Sequence, residues 1–453
     1  MAVWSVVSLT GLSSTHRLDA EYYQPDYLRY ESATASGDPL SVVSERIMHP
    51  TEIKRVYVED GIQILLAQNV RPNRLAFPEP AFMAPSARRI LYKNQLQIGD
   101  VVMTRSGANF GDAACYLGAP KDLFACADCL VIRPKDIAPG YLATFLNTRI
   151  GRGLLNRGAY GAAQPHIAPT YLRELRIPRL GRLEQVTHAL IEESYKQEEE
   201  SVHLYADTEA LLVSALGLDR LDLTPRLFYE RNYKDAARAG RLDAEYFQPP
   251  KWRVLEALAE MPGRTVGEQF RSVRSLWQPD NAPQAARVRN YDLTEALSPF
   301  LDETLEPTPA AEIGSTKKRL QAGDLVVSHL RSYLREIALV LPSAGVPMVG
   351  STEFIVLRPE KYAIRAEALL VYLRSPYVQT VLKWCQDGSN HPRFDEKEIL
   401  RLRMPKVVED VQDELAALVS KACAARREAR RLLDEAKALV EKAVLSANGR
   451  ESR

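Results

Sequence analysis

Two short segments of this chain carry side chains suited to hydrogen-bonding with the edges of nucleic-acid bases. The first, Arg105-Ser-Gly-Ala-Asn-Phe-Gly111, follows the apolar run Val101-Val-Met-Thr; the second, His329-Leu-Arg-Ser-Tyr-Leu-Arg335, follows Leu325-Val-Val-Ser. The apolar runs match while the tips do not: Arg105, Gly107, Asn109 and Gly111 stand where the second segment has His329, Arg331, Tyr333 and Arg335. A guanidinium bonds in two-pronged fashion to O6 and N7 of guanine, and a side-chain amide does the same to N6 and N7 of adenine. Changed tips on a kept frame would therefore read different bases. Most loop arginines are simply solvated; the in-register repetition is what singles these out.

Other chemistries find less support. Cys126-Ala-Asp-Cys129 has the spacing of half a zinc site, but tetrahedral zinc needs four ligands and a second pair with suitable spacing is missing. Both cysteines sit in Leu123-Phe-Ala-Cys-Ala-Asp-Cys-Leu-Val-Ile132, which reads as one buried strand. The five cysteines, at 115, 126, 129, 385 and 423, do not form a disulfide framework and fit a reducing compartment. The acidic run Asp395-Glu-Lys-Glu398 lies at a predicted helix start, where it reads as a charged cap rather than a nuclease centre. The sequence has no GxxxxGK[ST] phosphate loop, GxSxG elbow, HExxH pair or Asn-Pro-Pro-Phe-like tetrapeptide. No catalytic residue, metal ligand or cofactor is expected.

The elements that hold the tips are duplicated. Arg17-Leu-Asp-Ala-Glu-Tyr-Tyr-Gln-Pro25 returns as Arg241-Leu-Asp-Ala-Glu-Tyr-Phe-Gln-Pro249, eight of nine residues identical at a displacement of 224. The same displacement lays Gly99-Asp-Val-Val-Met-Thr on Gly323-Asp-Leu-Val-Val-Ser. It drifts to 225 for Val131-Ile-Arg-Pro134 on Val356-Leu-Arg-Pro359, and to 227 for Leu175-Arg-Ile-Pro178 on Leu402-Arg-Met-Pro405. Such a period is too long for a solenoid unit and signals a duplicated domain, each copy with its own core. Gly-Asp predicts a turn into a strand, and Ile62-Gln-Ile-Leu-Leu66 and Phe354-Ile-Val-Leu357 read as further strands. Helices are expected from Tyr141 to Thr148 and from Leu369 to Ser375.

Each copy then runs into a long helix. In the second, Val411, Leu415, Leu418, Ala422, Ala425, Ala429, Leu432, Ala436, Leu439 and Ala443 step by four and three throughout, as a coiled-coil seam does. The first, Leu183 to Leu216, is apolar at its ends (Leu183, Val186 and Leu190; Leu204, Leu211 and Leu212) but polar from Glu192 to Ser201, leaving its seam open. About 34 helical residues span on the order of 50 Å, enough for a spacer.

The expected class is α+β, with mixed domains over 1–180 and 241–406, long helices over 181–217 and 407–448, a linker over 218–240 and a disordered tail over 449–453. Net charge is only +1, but it is unevenly spread: residues 181–240 hold seven Lys and Arg against twelve Asp and Glu, while the flanking blocks are mildly basic. That distribution permits nucleic-acid binding. No stretch approaches a membrane span and no basic leader opens the chain, so no membrane contact and a cytoplasmic location are expected.

Taken in order, these segments resemble the specificity subunit of type I restriction-modification enzymes. The likeness covers nearly the whole chain and rests on the Arg-Leu-Asp-Ala-Glu-Tyr starts and on the run Gln164-Pro-His-Ile167, Leu175-Arg-Ile-Pro178 and Leu183-Glu-Gln185. The second copy departs from it, with His391-Pro-Arg-Phe394 in the Gln-Pro place and Val407-Val-Glu-Asp-Val-Gln412 after the proline. The resemblance implies two target-recognition domains, each reading half of a split, asymmetric double-stranded DNA site. It also implies helices that pair as an antiparallel coiled-coil spacer and dock two DNA methyltransferase subunits, with restriction subunits joining indirectly in an antiviral defence system. DNA contacts are accordingly expected at Arg105, Ser106, Asn109, Gln164 and His166, and at His329, Arg331, Tyr333, Arg335, His391 and Arg393. Two alternatives stay open: a recognition scaffold of another phage-defence methylation system, or a stand-alone nucleic-acid enzyme with an unrecognised site.

Overall fold

A computed structural model describes residues 4–7, 17–77, 80–107, 109–161, 165–283, 285–343 and 345–448. The chain forms two compact units, Met1–Glu199 with Ala425–Arg453 and Glu200–Ala424, so each takes in one copy of the repeat and part of both long helices. Gln164 and the tail expected over 449–453 lie outside the described residues.

The first unit is built on four antiparallel strands, β1 (Ser44–Met48), β2 (Val101–Thr104), β3 (Ala113–Cys115) and β4 (Cys129–Pro134), ordered β1-β4-β2-β3. Val101, Met103, Leu130 and Ile132 pack on one face against Tyr141 and Phe145 of helix α1 (Pro139–Asn147). Val102, Ala114 and Val131 pack on the other with Ile62, Ile64 and Met83 of a second sheet. Burial on both faces explains why these strands read as unbroken apolar runs rather than alternating ones. The run from Leu123 to Ile132 is not one strand: Phe124–Ala125 belongs to the second sheet, and a turn closed by the Cys129 N–H on the Cys126 carbonyl, at 3.1 Å, separates it from β4. Helix α2 (Arg149–Gly158) follows, capped where the Thr148 hydroxyl accepts the Gly151 N–H.

Across the long helix α3 (Arg182–Leu216), the second unit repeats the plan. Its strands β5 (Phe270–Ser272), β6 (Leu325–Ser328), β7 (Ile337–Leu339) and β8 (Phe354–Pro359) are ordered β5-β8-β6-β7, and helices α4 (Ala366–Arg374) and α5 (Pro376–Lys383) follow, the latter capped by Ser375. The second sheets differ between units: four strands around Ile62–Leu65 in one, five around Lys317–Leu320 and Met348–Gly350 in the other.

The Gly-Asp turns work identically. Asp100 is buried; its carboxylate accepts the Gln97 N–H at 2.8 Å and grips Arg133 through Nε and Nη2 at 2.8 and 2.9 Å. Asp324, 1% exposed, accepts the Gln321 N–H at 2.7 Å and grips Arg358 at 2.6 and 2.7 Å. Each fork ties the start of β2 or β6 to the far end of its neighbour, β4 or β8, and so fixes the register of the strands that carry the tips.

The long helices pair through a seam more polar than the sequence suggests. In the first unit the Ser194 hydroxyl donates to the Ala429 carbonyl at 2.8 Å; in the second, Ser201 donates to the Ala422 carbonyl at 2.7 Å. Residue numbers rise along α3 as they fall along α6 (Gln412–Asn448), so the pair is antiparallel. Between the buried Glu184 and Leu216 at its ends, the buried positions of α3 are Thr187, Ile191, Ser194, Ser201, Thr208 and Leu212, a heptad pattern written largely in small hydroxyl residues, whereas Val186, placed on the stripe from sequence, is exposed. In α6 the middle of the expected stripe, Ala422 to Ala436, is buried, but toward the ends burial moves by one residue to Val419, Val440 and Val444. A straight helix of 3.6 residues per turn drifts from a 3.5 repeat, and here the ends turn toward each unit's own core.

Candidate nucleic-acid interface

The repeated Arg-Leu-Asp-Ala-Glu-Tyr segment acts as a clasp at the base of each candidate site. Arg17 forks onto Asp19, lies 4.8 Å over the Tyr22 ring and donates to the carbonyls of Arg157 and Ala159. Arg241 forks onto Asp243, lies 4.4 Å over Tyr246 and donates to the carbonyls of Cys385 and Gln386. Those carbonyls open the loops that return to the tips. In the first unit the loop pairs Tyr160 with His166 through two backbone bonds, and His166 bridges to Ser106; in the second, Asp387 pairs with Arg393, and Arg393 bridges to Leu330. His166 and Arg393 are thus equivalent, as are Ser106 and Leu330. Where the second copy departs from the Gln-Pro-His pattern, the bridges made by His166 and Arg393 are the same while the side chains differ.

At their described residues the tips share backbone bonds and left-handed positions. Arg105 and His329 donate their N–H to the carbonyls of Asp128 and Glu353, at 2.8 and 3.2 Å. Gly107 and Arg331 both have positive φ, 91° and 50°, and so do Gly111 and Arg335, 77° and 54°. The first tip meets this left-handed requirement with glycine; the second meets it with arginine, at a cost of about 1 kcal/mol per residue.

Different side chains then meet at each tip. In the first unit His49 Nε2 stands 2.8 Å from the Ala127 carbonyl and 3.1 Å from Arg105 Nη1. One ring nitrogen cannot donate to the carbonyl and also accept from the guanidinium. Arg105 Nε is buried with no acceptor among the described residues, so this guanidinium holds donors in reserve. Beside it Arg55 pairs with Asp128 at 2.5 Å, a contact that raises the arginine pKa further. In the second unit the Glu353 carboxylate takes both Nε and Nη2 of Arg393 at 2.9 Å and stands 2.6 Å from His329 Nε2, while Arg331 Nη2 lies 3.1 Å from His391 Nδ1. Arg393 bonds hold Glu353 below the usual carboxylate range. Tyr333 is exposed, whereas Arg335 reaches inward to Glu209 of α3 at 2.6 Å and to the Arg374 carbonyl. The Asn109 carbonyl closes the first tip against the Asp112 N–H. Asp395 caps the short helix Glu396–Leu400 by accepting the Lys397 N–H.

No family model and no curated protein matches this chain. Three solved structures similar to it come from type I restriction-modification systems. The type I S subunit from M. genitalium shares 13% identity over 90% of this chain and 95% of that one, with a TM-score of 0.42. The HsdS subunit from Thermoanaerobacter tengcongensis shares 14% over 90% and 95%, at 0.28. A structure described as the basis of complex assembly and conformational transition of the type I R-M system shares 15% over 90% and 98%, at 0.29.

Four residues at the tips escape a reading of the sequence: His49, Arg55, Asp128 and Glu353. The acids leave a trace, since Asp128 and Glu353 each directly precede the matched strands β4 and β8 at a displacement of 225. His49 and Arg55 leave none, because the residues that follow β1 show no sequence likeness to those that follow β5. Among the described residues no group of three or more His, Cys, Asp or Glu could hold a metal, and no helix is long and apolar enough to cross a membrane.

Proposed function

We propose that this chain is the DNA-reading specificity subunit of a type I restriction-modification assembly. Each unit reads one half of a bipartite, asymmetric duplex target, through Arg105, Ser106, Asn109, Gln164 and His166 in one and His329, Arg331, Tyr333, His391 and Arg393 in the other. The observation that carries this reading is the pair of tips: shared backbone bonds and left-handed positions, on strands fixed by the same Gly-Asp fork, present different hydrogen-bonding chemistry in the two copies. Arg335 belongs to the same set through its position, with a supporting rather than a reading part because Glu209 and the Arg374 carbonyl already take its donors. Methyl transfer and cleavage fall to partners, two methyltransferase subunits and through them the restriction subunits, in the cytoplasm, and this chain itself does no chemistry.

Exchange of residues 26–170 for the corresponding segment of a relative tests this. Sequencing of methylated sites in cells expressing the assembly is expected to show one half-site changed and the other kept. A change in both halves, or robust cutting or methylation by the purified chain alone, would overturn the reading.

A further inference from the structure

Both tips carry a carboxylate at the same backbone position, and both carboxylates are engaged by a guanidinium from a different loop. Asp128 is held by Arg55, which precedes it in sequence between β1 and β2; Glu353 is held by Arg393, which follows β8. The partners are unrelated in sequence position, so the arrangement is not an inherited pair. What the copies share is an acid at the head of β4 or β8 facing a cation, a few ångströms from the residue that opens the tip.

An acid here is costly for binding to DNA in general. Phosphates repel it, and the guanidinium it holds must be released before any phosphate or base can use it. Non-specific binding is almost entirely electrostatic, so a carboxylate at the contact surface weakens it at every sequence alike. Only one kind of base repays the cost in the major groove. The exocyclic amino groups, N4 of cytosine above all, are donors, and a carboxylate is their matched acceptor.

We propose that Glu353, and Asp128 in the same role, are specificity-determining residues. In the free protein each occupies a tip guanidinium and so suppresses binding to arbitrary duplex. At the correct half-site each gives up that guanidinium and accepts a hydrogen bond from an amino-bearing base, cytosine N4 in the first instance. Next to Glu353, Lys318 donates to the Phe354 carbonyl, and Arg274 pairs with Glu396. This inference rests on the DNA-reading function proposed above.

The test uses the full chain and two probes: the duplex enriched by that chain from a randomised library, and a scrambled duplex of equal length. Glu353→Gln is expected to tighten binding to the scrambled duplex by about tenfold and to steepen its salt dependence by about one phosphate contact, because Arg393 is released. The preference for the enriched duplex is expected to fall by about ten- to a hundredfold, with the loss confined to positions in one half-site. The double variant Glu353→Gln with Arg393→Gln removes the freed charge and is expected to return scrambled-duplex affinity to the wild-type level while discrimination stays low. That separates restraint from a damaged tip, in which both variants would bind both probes more weakly. An unchanged preference in Glu353→Gln, or equal weakening on both probes, overturns the inference while leaving DNA reading intact. A wild-type chain that enriches no sequence removes the DNA-reading function, and the inference with it.

Discussion

The two tips solve one geometric problem in opposite ways. At the left-handed positions the first uses Gly107 and Gly111 and the second Arg331 and Arg335. A β-carbon on Gly111 would lie 2.9 Å from Arg152 Nη1 and 3.3 Å from Leu155 Cδ1, because Arg152 of α2 reaches in to bond the Phe110 carbonyl and Asp112. In the second unit Gln379 stands in the place of Arg152 and bonds the Leu373 carbonyl instead, and the base of the tip is held by Arg374 of α4, which donates to the Arg335 and Ile337 carbonyls, and by Arg335 itself, which reaches back to the Arg374 carbonyl. A helix guanidinium supports each tip, Arg152 of α2 in one copy and Arg374 of α4 in the other, and the second tip adds Arg335 of its own. The frame is thus conserved by function rather than by residue, which leaves the outer side chains free to differ.

If the frame is common to both units, breaking it should cost the same in each. Asp100→Ala and Asp324→Ala each leave a partly buried arginine without its carboxylate and a backbone N–H without its acceptor. Each is expected to destabilise its own unit by about 3 kcal/mol, measured by denaturant unfolding with a probe in each unit. Unequal losses would mean that the two forks, alike in geometry, do different work.

The tips should respond unequally. Arg331→Gly removes a side chain from a left-handed position and is expected to stabilise the second unit by about 1 kcal/mol while weakening its contribution to DNA binding. The reverse change, Gly107→Arg, meets no atom within 4 Å of its β-carbon and is expected to cost the first unit about 1 kcal/mol of backbone strain and nothing more. Melting of both variants, with duplex binding alongside, checks the pair. A destabilised Arg331→Gly would show that His391 and the backbone repay the strain without any DNA.

The same contrast explains how much could be read in advance. The duplication, the β2 and β6 strands and the Gly-Asp turns were legible because burial on both faces forces apolar residues and a tight turn forces glycine. The second sheets were legible only at Ile62–Leu65, since strands as short as Tyr57–Val58, exposed on both residues, carry no pattern. The α3 seam was hidden because Ser194, Ser201, Thr187 and Thr208 are polar letters in buried places; the threonines turn their hydroxyls onto the Leu183 and Leu204 carbonyls and the serines onto the opposite helix. Of the candidate site, the tip residues were legible through the repeat. The Arg55–Asp128 and Arg393–Glu353 pairs were not, because each joins segments far apart in sequence.

The smallest expected effect is one of pH. In the frame, Asp19 and Asp243 are both held below the usual carboxylate range by their forks with Arg17 and Arg241, so loss of those pairs in acid should weaken the two units in parallel. Glu353 adds a contribution that belongs to the second tip. Its pKa is depressed first by its bonds to Arg393 and further by His329, against the opposing effect of burial. A depressed carboxylate stabilises the folded state fully above its unfolded pKa, about 4.3 for glutamate, and loses that contribution as the pH falls through the folded value. The side chain is 30% exposed and the solvent screens the pair, so the amount is expected to be under about 1 kcal/mol. Melting of the wild type beside Glu353→Gln from pH 7 downward isolates it: the wild type should be the more stable at pH 7, and the difference should close below about pH 4. A difference that persists unchanged into acid would mean that Glu353 holds the tip by shape and hydrogen bonding alone, and that its charge plays no part in fixing Arg393.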